Sequence, residues 1–322
     1  MTRTLMAGAV MLLTAFCVPG HAQTYPAKPV RVLIPYNPGG SPDLLSRLVA
    51  QHLTPLLGQG FVIENKAGGG GVPAIMDMLN APADGYTLLS ADLGQWGIYP
   101  AVQTNAPYDA VRDFAPVGLI FTSIPFLIVS GTSPAKDLRE LVAMAKAKPG
   151  MAYGSMGVGA LTHLEAEAFA AGMGLSFTHV PYKGGGAAVE AVMRGDVAFT
   201  ITALGTFAGQ LKSGAVRILA TTHARRMRAM PEVPTVQEAV GLQGYHFAGT
   251  AGWIAKAGTP KSVIDRLSTV LMRVASYPEL AERGLALGVE MTPSTPEEHA
   301  DIIRSDVKRL ADAVRISGAR AQ

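Results

Sequence analysis

The sequence predicts an α/β protein folded into two lobes, and three observations carry that expectation. Short β-branched and aromatic runs alternate with helical patterns almost throughout, which predicts strands laid mainly parallel through helical crossovers. Two runs, 117–129 with Pro125 inside it and 245–255 with Gly249 and Gly252 inside it, are longer than a typical strand and suit segments that pass between lobes. A chain of 322 residues is ample for two cores. If both long runs cross, residues 24–124 and 252–322 form a discontinuous first lobe, residues 125–251 form the second, and the two crossovers permit hinge closure.

The chain opens on a targeting segment. In residues 1–22, Arg3 supplies the charged start, Leu5 to Val18 an apolar stretch, and Gly20-His21-Ala22 a small-x-small cleavage site, which predicts an exported protein cut near Ala22. The apolar stretch, about 14 residues, falls short of the roughly 20 needed to span a bilayer. Phe16 is too bulky for lipoprotein processing at Cys17. Cleavage removes Cys17, the single cysteine, so the mature chain has neither a disulfide nor a reactive thiol. It also removes Arg3, so the 27 Lys+Arg become 26 against 24 Asp+Glu, a formal charge of +2 with histidine neutral. So weak a balance gives no electrostatic case for nucleic acid or a membrane surface as partner.

The first strand, 30–34, is a β-branched run that turns through Gly39-Gly40 into a helix, with Ser41 read as the N-cap and Pro42 as the first helical position. Glycine lets a ligand approach the backbone, and free N–H groups at the positive end of a helix dipole favour a carboxylate or phosphate. A second seat of this type follows at 153–163, and two seats in separate halves suggest a clamp. Further strands are expected at 61–64, 86–90, 117–129, 152–154, 177–180, 197–202, 216–221 and 247–255. Asp137 with Glu140 forms a capping box before a helix at 138–148, which Pro149-Gly150 stops. Thr259-Pro260 opens another helix, and Thr295-Pro296-Glu297-Glu298 opens the last, where Ile303, Val307, Leu310 and Val314 form one apolar stripe. Pro55, inside the first helix, is expected to kink or split it.

Several motifs exclude chemistry by what they lack. Gly68-Gly69-Gly70-Gly71 has no Gly-Lys-Ser/Thr after it and reads as a turn into a helix starting near Val72, not a phosphate loop. The run from Gly154 to Gly159 lacks the G-x-G-x-x-G order of dinucleotide binders, so no cofactor is expected. A nucleophile elbow, G-x-S-x-G, would need glycine where Tyr153 stands before Ser155. The histidines His163, His179, His223, His246 and His299 show no metal-ligand spacing.

Read together, many short motifs resemble the periplasmic receptors of tripartite tricarboxylate transporters, the Bug family. They are Tyr25-Pro26-x-Lys28-Pro29-Val30-Arg31, Pro38-Gly39-Gly40-x-x-Asp43, Glu64-Asn65-Lys66-x-Gly68 and Asp84-Gly85-Tyr86-Thr87-Leu88. Tyr108-Asp109, Asp113-Phe114-Ala115-Pro116, Gly154-Ser155-x-Gly157-x-Gly159 with His163, Pro181-Tyr182-Lys183-Gly184 and Pro231-x-Val233-Pro234-Thr235 follow in order, so the resemblance spans the mature chain. It implies a two-lobed periplasmic-binding-protein (Venus flytrap) fold that captures a small organic anion and delivers it to membrane transporter subunits. Family members hold a carboxylate with main-chain groups and water at two Gly-rich loops. By position, this implies Tyr36, Asn37, Gly39, Gly40 and Asp43 in the first lobe and Ser155, Gly157, Gly159 and His163 in the second. Asp43 also has a purely structural reading, since an acid in a helix's first turn is favourable with no ligand.

The chain departs from the pattern it resembles at three places. Relatives commonly have Phe-Pro where this chain has Tyr36-Asn37, and often an acid where it has Thr202; its loop after Ser90 carries Asp92 and Trp96. Trp96 either stacks on a flat ligand or plugs the lobe. The expectation is a monomeric, exported, non-catalytic receptor for a carboxylate without an ammonium group, a di- or aromatic acid, with no cofactor or metal. Two alternatives stand beside it: an exported serine hydrolase using Ser155 and His163, and the ligand-binding component of a sensory system.

Overall fold

The computed structural model describes residues 25–103, 105–228 and 230–317, so the targeting segment and its cleavage near Ala22 lie outside the described residues. The strands are β1 Val30–Ile34, β2 Phe61–Asn65, β3 Thr87–Asp92, β4 Phe114–Ser123, β5 Pro125–Ser130, β6 Met151–Ser155, β7 Phe177–Pro181, β8 Phe199–Ala203, β9 Val216–Thr221, β10 Gly249–Lys256 and β11 Val289–Met291. They build two sheets, in the orders β11-β4-β10-β3-β1-β2 and β7-β6-β8-β5-β9. Helices α1 Ser41–Leu57, α2 Val72–Asn80, α3 Tyr99–Val102 and α4 Ala110–Asp113 accompany the first sheet. Next come α5 Leu138–Ala147, α6 Leu161–Met173, α7 Gly185–Arg194, α8 Ala208–Lys212 and α9 Val236–Val240, then α10 Lys261–Ala275, α11 Pro278–Ala286 and α12 Pro296–Ser317.

Both sheets are mixed, not mainly parallel. β1 runs parallel to β2 and β3, and β6 to β7 and β8. β10 is antiparallel to β3 and β4, β11 to β4, and β5 to β8 and β9. Parallel neighbours need a crossover that returns the chain to its starting edge. β4 instead passes straight into β5 through Ile124 alone, so the expected long strand is two strands in two sheets. The return is equally direct: the Phe247 N–H still bonds Thr222 O at 2.7 Å, and Gly249 already pairs with Ser123. The chain therefore rejoins the first sheet at Gly249, three residues before Gly252. β11, a three-residue strand, was not legible in the sequence.

Helix ends follow the expected chemistry with small displacements. Gly40, not Ser41, caps α1, and Pro42 falls at its second position. Pro55 leaves α1 unbroken because it sits in the last turn; the helix stops at Gly58, whose φ of 72° lets its N–H bond Thr54 O. Thr295 and Glu298 exchange backbone and side-chain bonds before α12 as a complete capping box. Asp137 caps α5, but Glu140 reaches Lys136 N–H instead of Asp137 N–H. Thr259 does not cap α10; its hydroxyl donates back to Lys256 O.

Buried aromatics anchor both faces of the first sheet. Trp253 of β10 is fully buried, stacks with Phe61 at 5.9 Å and donates to Ser46 Oγ, which in turn meets Ser90 Oγ at 3.0 Å. Burying one such ring contributes about 4–6 kcal/mol before entropy is subtracted, taking 150–250 Å² at ~25 cal/mol/Å². Between the lobes, α12 packs on α6, and Arg309 of α12 reaches His246 O. On the other side Glu290 of β11 accepts the Arg228 N–H at 2.6 Å and pairs with Arg225.

β10 joins the parallel half of the first sheet to β4 and β11, and it does so through a bulge at Ala251/Gly252. A methyl carbon on Gly252 would stand 2.4 Å from the Gly118 carbonyl oxygen and 2.8 Å from the Leu119 Cα, both backbone. Gly252→Ala is therefore expected to destabilise by about 1–3 kcal/mol. That lowers the melting temperature by roughly 2–4 °C per kcal/mol, read by differential scanning calorimetry. An unchanged transition would show that β10 is free to move away from β4.

Candidate ligand-binding site

The carboxyl ends of the parallel strands converge on one side of each sheet. In the first lobe, β1 leads into the loop 35–40, β2 into 66–71, and β3 into the turn that begins with Gly94. In the second, β6 leads into 156–160. This is where open α/β sheets place their ligands, because helix N-termini gather there.

Both loops carry the same internal bond. Gly39, one residue before the N-cap of α1, donates its N–H to Asp43 Oδ2 at 2.9 Å; Asp43 is the third residue of that helix. Gly159, one residue before the N-cap of α6, donates to His163 Nδ1 at 3.1 Å, and His163 is again the third residue. The ties need left-handed glycine, with φ of 96° at Gly39 and 77° at Gly159. Each loop is thus folded onto its own helix. No acceptor is found among the described residues for the N–H groups of Gly40 and Ser41, or of Val158, Leu161 and Thr162. They remain for an anion at the helix N-terminus.

Asp43 is also held by Arg47 and by Asn65 Nδ2, at 3.0 and 2.9 Å. Burial works against its charge, but the Gly39 N–H, Arg47 and Asn65 keep the carboxyl below its usual range. The buried side chains of Asp43 and His163 brace the loops, Asp43 through both carboxylate oxygens and His163 through Nδ1. Ser155 is likewise internal: fully buried, it accepts the Gly157 N–H at 3.0 Å and meets His179 Nε2 at 2.6 Å. His179, not His163, is the serine's partner, and the two imidazoles stack face to face at 4.0 Å. Burial, then the neighbouring His163, pushes His179 down to about 4. His163 is lowered by burial too, which fits an Nδ1 that must accept.

A cavity of about 400 Å³ opens beside the first loop. Pro35, Tyr36 and Asn37 line it with Ala67, Gly68, Gly70 and Gly71 of the second turn, and with Gly94, Gln95, Ile98, Tyr99 and Val102. A carbon added to Gly159 would lie 3.6 Å from Val102 Cγ1, so the second-lobe loop abuts this wall. At its floor, the Tyr36 hydroxyl donates to Asp92 Oδ2 at 2.7 Å and accepts from Gln95 Nε2 at 3.0 Å. Burial raises the Asp92 carboxyl, opposed by Tyr36 and the Gly94 N–H. Among the described residues, no group of three His, Cys, Asp or Glu side chains gathers to hold a metal ion.

A tripartite tricarboxylate transporter family receptor model, TctC, matches residues 45–318. The chain belongs to this receptor family. It is 32% identical to the protein BugT of Bordetella pertussis, with 99% of each chain covered. Among solved structures it is similar to Rpa4515 of R. palustris with adipate, at 29% identity and a TM-score of 0.74, covering 92% of this chain and 99% of that one. It is also similar to MatC of Rhodopseudomonas palustris with bound malate, at 27% identity and a TM-score of 0.70, covering 90% and 100%. The family's two-lobed α/β fold is the fold described above. No helix among the described residues is long and apolar enough to cross a membrane.

Of the residues singled out from the sequence, Tyr36 and Asn37 line the cavity, the glycines, Asp43, Ser155 and His163 belong to the two loops and the elements that flank them, and Trp96 and Thr202 stand apart from both. Trp96 plugs the lobe: it is fully buried, donates to Asp306 Oδ2 at 3.0 Å and meets the His299 ring edge-on at 5.2 Å. Its place in a π-helical turn points the indole into the core while Gln95 and Ile98 reach the cavity. Thr202, buried at the end of β8, faces the start of α7, where a carbon on Gly185 would lie 2.9 Å from its Oγ1. Gln95, Tyr99 and the Gly68 turn were missed as wall residues; the glycine run after β2 was the available signal.

His299 gives a pH test of the packing behind Trp96. Its ring is fully buried with both nitrogens unpartnered, and burial pushes it down to about 3. Below its unfolded value of about 6.5, the unfolded chain binds a proton that the folded chain refuses, so this residue costs stability as pH falls towards its folded value. The melting temperature of His299→Leu relative to the parent should therefore rise between pH about 6.5 and about 4. A difference independent of pH would mean that His299 titrates normally.

Proposed function

We propose that this chain is an exported, periplasmic receptor that captures a small organic carboxylate lacking an ammonium group and presents it to the membrane subunits of a tripartite carrier. One observation carries the reading: two strand-to-helix loops, one per lobe, are each tied back to their own helix, which leaves helix N-terminal N–H groups for an anion beside a cavity without lysine, arginine or histidine. The similar proteins solved with adipate and malate support a carboxylate ligand. Capture and closure are the mechanism. The anion docks at one loop, the lobes close at the crossovers near Ile124 and Gly249, and the second loop completes the cage. As water leaves, each N–H to carboxylate bond strengthens in the lower dielectric.

The same reading makes the protein a monomer that catalyses nothing. Ser155 and His179 touch, but the serine is fully buried and its oxygen already accepts the Gly157 N–H, so no substrate carbonyl has a route to it. Among the described residues, no acidic side chain lines the cavity, which leaves an ammonium group without an anionic partner there and disfavours amino acids.

The test is a thermal-shift panel on the mature protein with carboxylic acids, their neutral amides and their α-amino derivatives. A hundredfold excess over the dissociation constant adds about 2.7 kcal/mol, hence roughly 4 °C for a chain of this size. Acids should shift the transition, and amides and amino acids should not. A shift by the amide equal to that of the acid would overturn the carboxylate reading.

A further inference from the structure

The cavity wall speaks to the rest of the ligand. Phe114, Tyr108 and Tyr99 form a stacked column, with ring centres 5.6 and 6.0 Å apart and planes within 20° and 13°, and its last ring faces the cavity lining. Tyr99 is fixed there: a carbon on Gly70 would stand 2.2 Å from Tyr99 Cδ2, so only glycine admits the ring. Ile98 and Val102 extend this wall, and the second-lobe loop, which abuts Val102 at Gly159, carries the exposed Met156 and Val158. The polar floor offers little to a second anion. The Tyr36 proton is committed to Asp92, the Gln95 amide to Tyr36, and Gln95 Oε1 to the Asp92 N–H.

We propose that this receptor takes a monocarboxylate with a flat, apolar body, an aromatic acid, and that the Asp92–Tyr36–Gln95 chain of hydrogen bonds rejects dicarboxylates. The proposal rests on the carboxylate reading above and narrows it. A second carboxylate at the far end would shed its water against apolar walls and meet a buried carboxyl, with no cation to pair with. A flat apolar ring is instead offered the aromatic side chain of Tyr99 on the cavity lining. In this the chain differs from the similar proteins solved with adipate and malate, both dicarboxylates.

The experiment is calorimetric titration of the mature protein with benzoate, adipate and benzamide, repeated on Asp92→Asn and Tyr99→Ala. Benzoate should bind at least about tenfold more tightly than adipate, and benzamide should not compete. In Asp92→Asn the amide donates to the Tyr36 oxygen and turns the phenol proton towards the cavity, so the benzoate-to-adipate ratio should fall about fivefold or more. Tyr99→Ala should weaken benzoate by about fivefold or more. Adipate binding as tightly as benzoate overturns this inference and leaves the carboxylate reading standing, whereas benzamide binding as tightly as benzoate overturns both. An Asp92→Asn variant that folds and keeps the parent ratio removes the hydrogen-bond chain as the cause. The parent's own ratio decides the matter if that variant does not fold.

Discussion

The bond from the third residue of a helix back to the glycine before its N-cap sets the shape of this site. It occurs twice, Gly39 to Asp43 and Gly159 to His163, in lobes that share no sequence at the bonding side chain. A carboxylate and a neutral imidazole serve equally because each only has to accept. By using up the inward N–H, the tie turns the loop so that the remaining amides lie at the helix N-terminus, where the dipole already favours an anion by about 0.3–1 kcal/mol and up to ~2 when partly buried. The imidazole must stay neutral for this. Burial favours the neutral form of His163, and the stacked His179 is itself pushed down by burial and by His163, so both rings of the pair favour the neutral state that the loop tie needs.

The mixed sheets follow from placing two such loops face to face. Parallel strands β1 to β3 and β6 to β8 put their carboxyl ends at the site, but two separate sheets must also be joined twice. β4–β5 and β10 make those joins without a helix and so run antiparallel to their neighbours. The joins are short, and close backbone packing at Gly252 holds β10 against β4. Around them one apolar cluster continues from Leu33 and Trp96 in the first lobe to Tyr153 and Phe199 in the second, so the lobes meet through α6 and α12 as well as through the strands.

Most of the strand positions were legible in the sequence because β-branched runs bounded by Gly and Pro have few other uses; β1 and β9 match to the residue. Strand direction was not legible, since it depends on whether a connection returns to its own sheet, and Ile124 carries no mark of that choice. At the site, the Gly-rich loops stood out, but the internal bonds of their side chains did not. Asp43, His163 and Ser155 have the residue types of ligand contacts, yet Asp43 and His163 each accept a glycine N–H four residues back, Asp43 also holds Arg47 and Asn65, and Ser155 meets Gly157 and His179, contacts that spacing alone does not disclose. His179 reaches Ser155 only through the pairing of β6 with β7, where it lies opposite Tyr153. Trp96 was ambiguous because a π-helical turn decides which of its neighbours faces the cavity.

The central claim, that main-chain amides at two helix N-termini hold the ligand, is tested most directly by nitrogen–proton correlation spectra of isotope-labelled mature protein. Spectra are compared with and without a saturating carboxylate that raises its melting temperature. The account predicts downfield amide shifts at Gly40, Ser41, Val158, Leu161 and Thr162, with the internally bonded Gly39 and Gly159 amides nearly unmoved. Shifts confined to one lobe, or centred on Gly39 and Gly159, would contradict it.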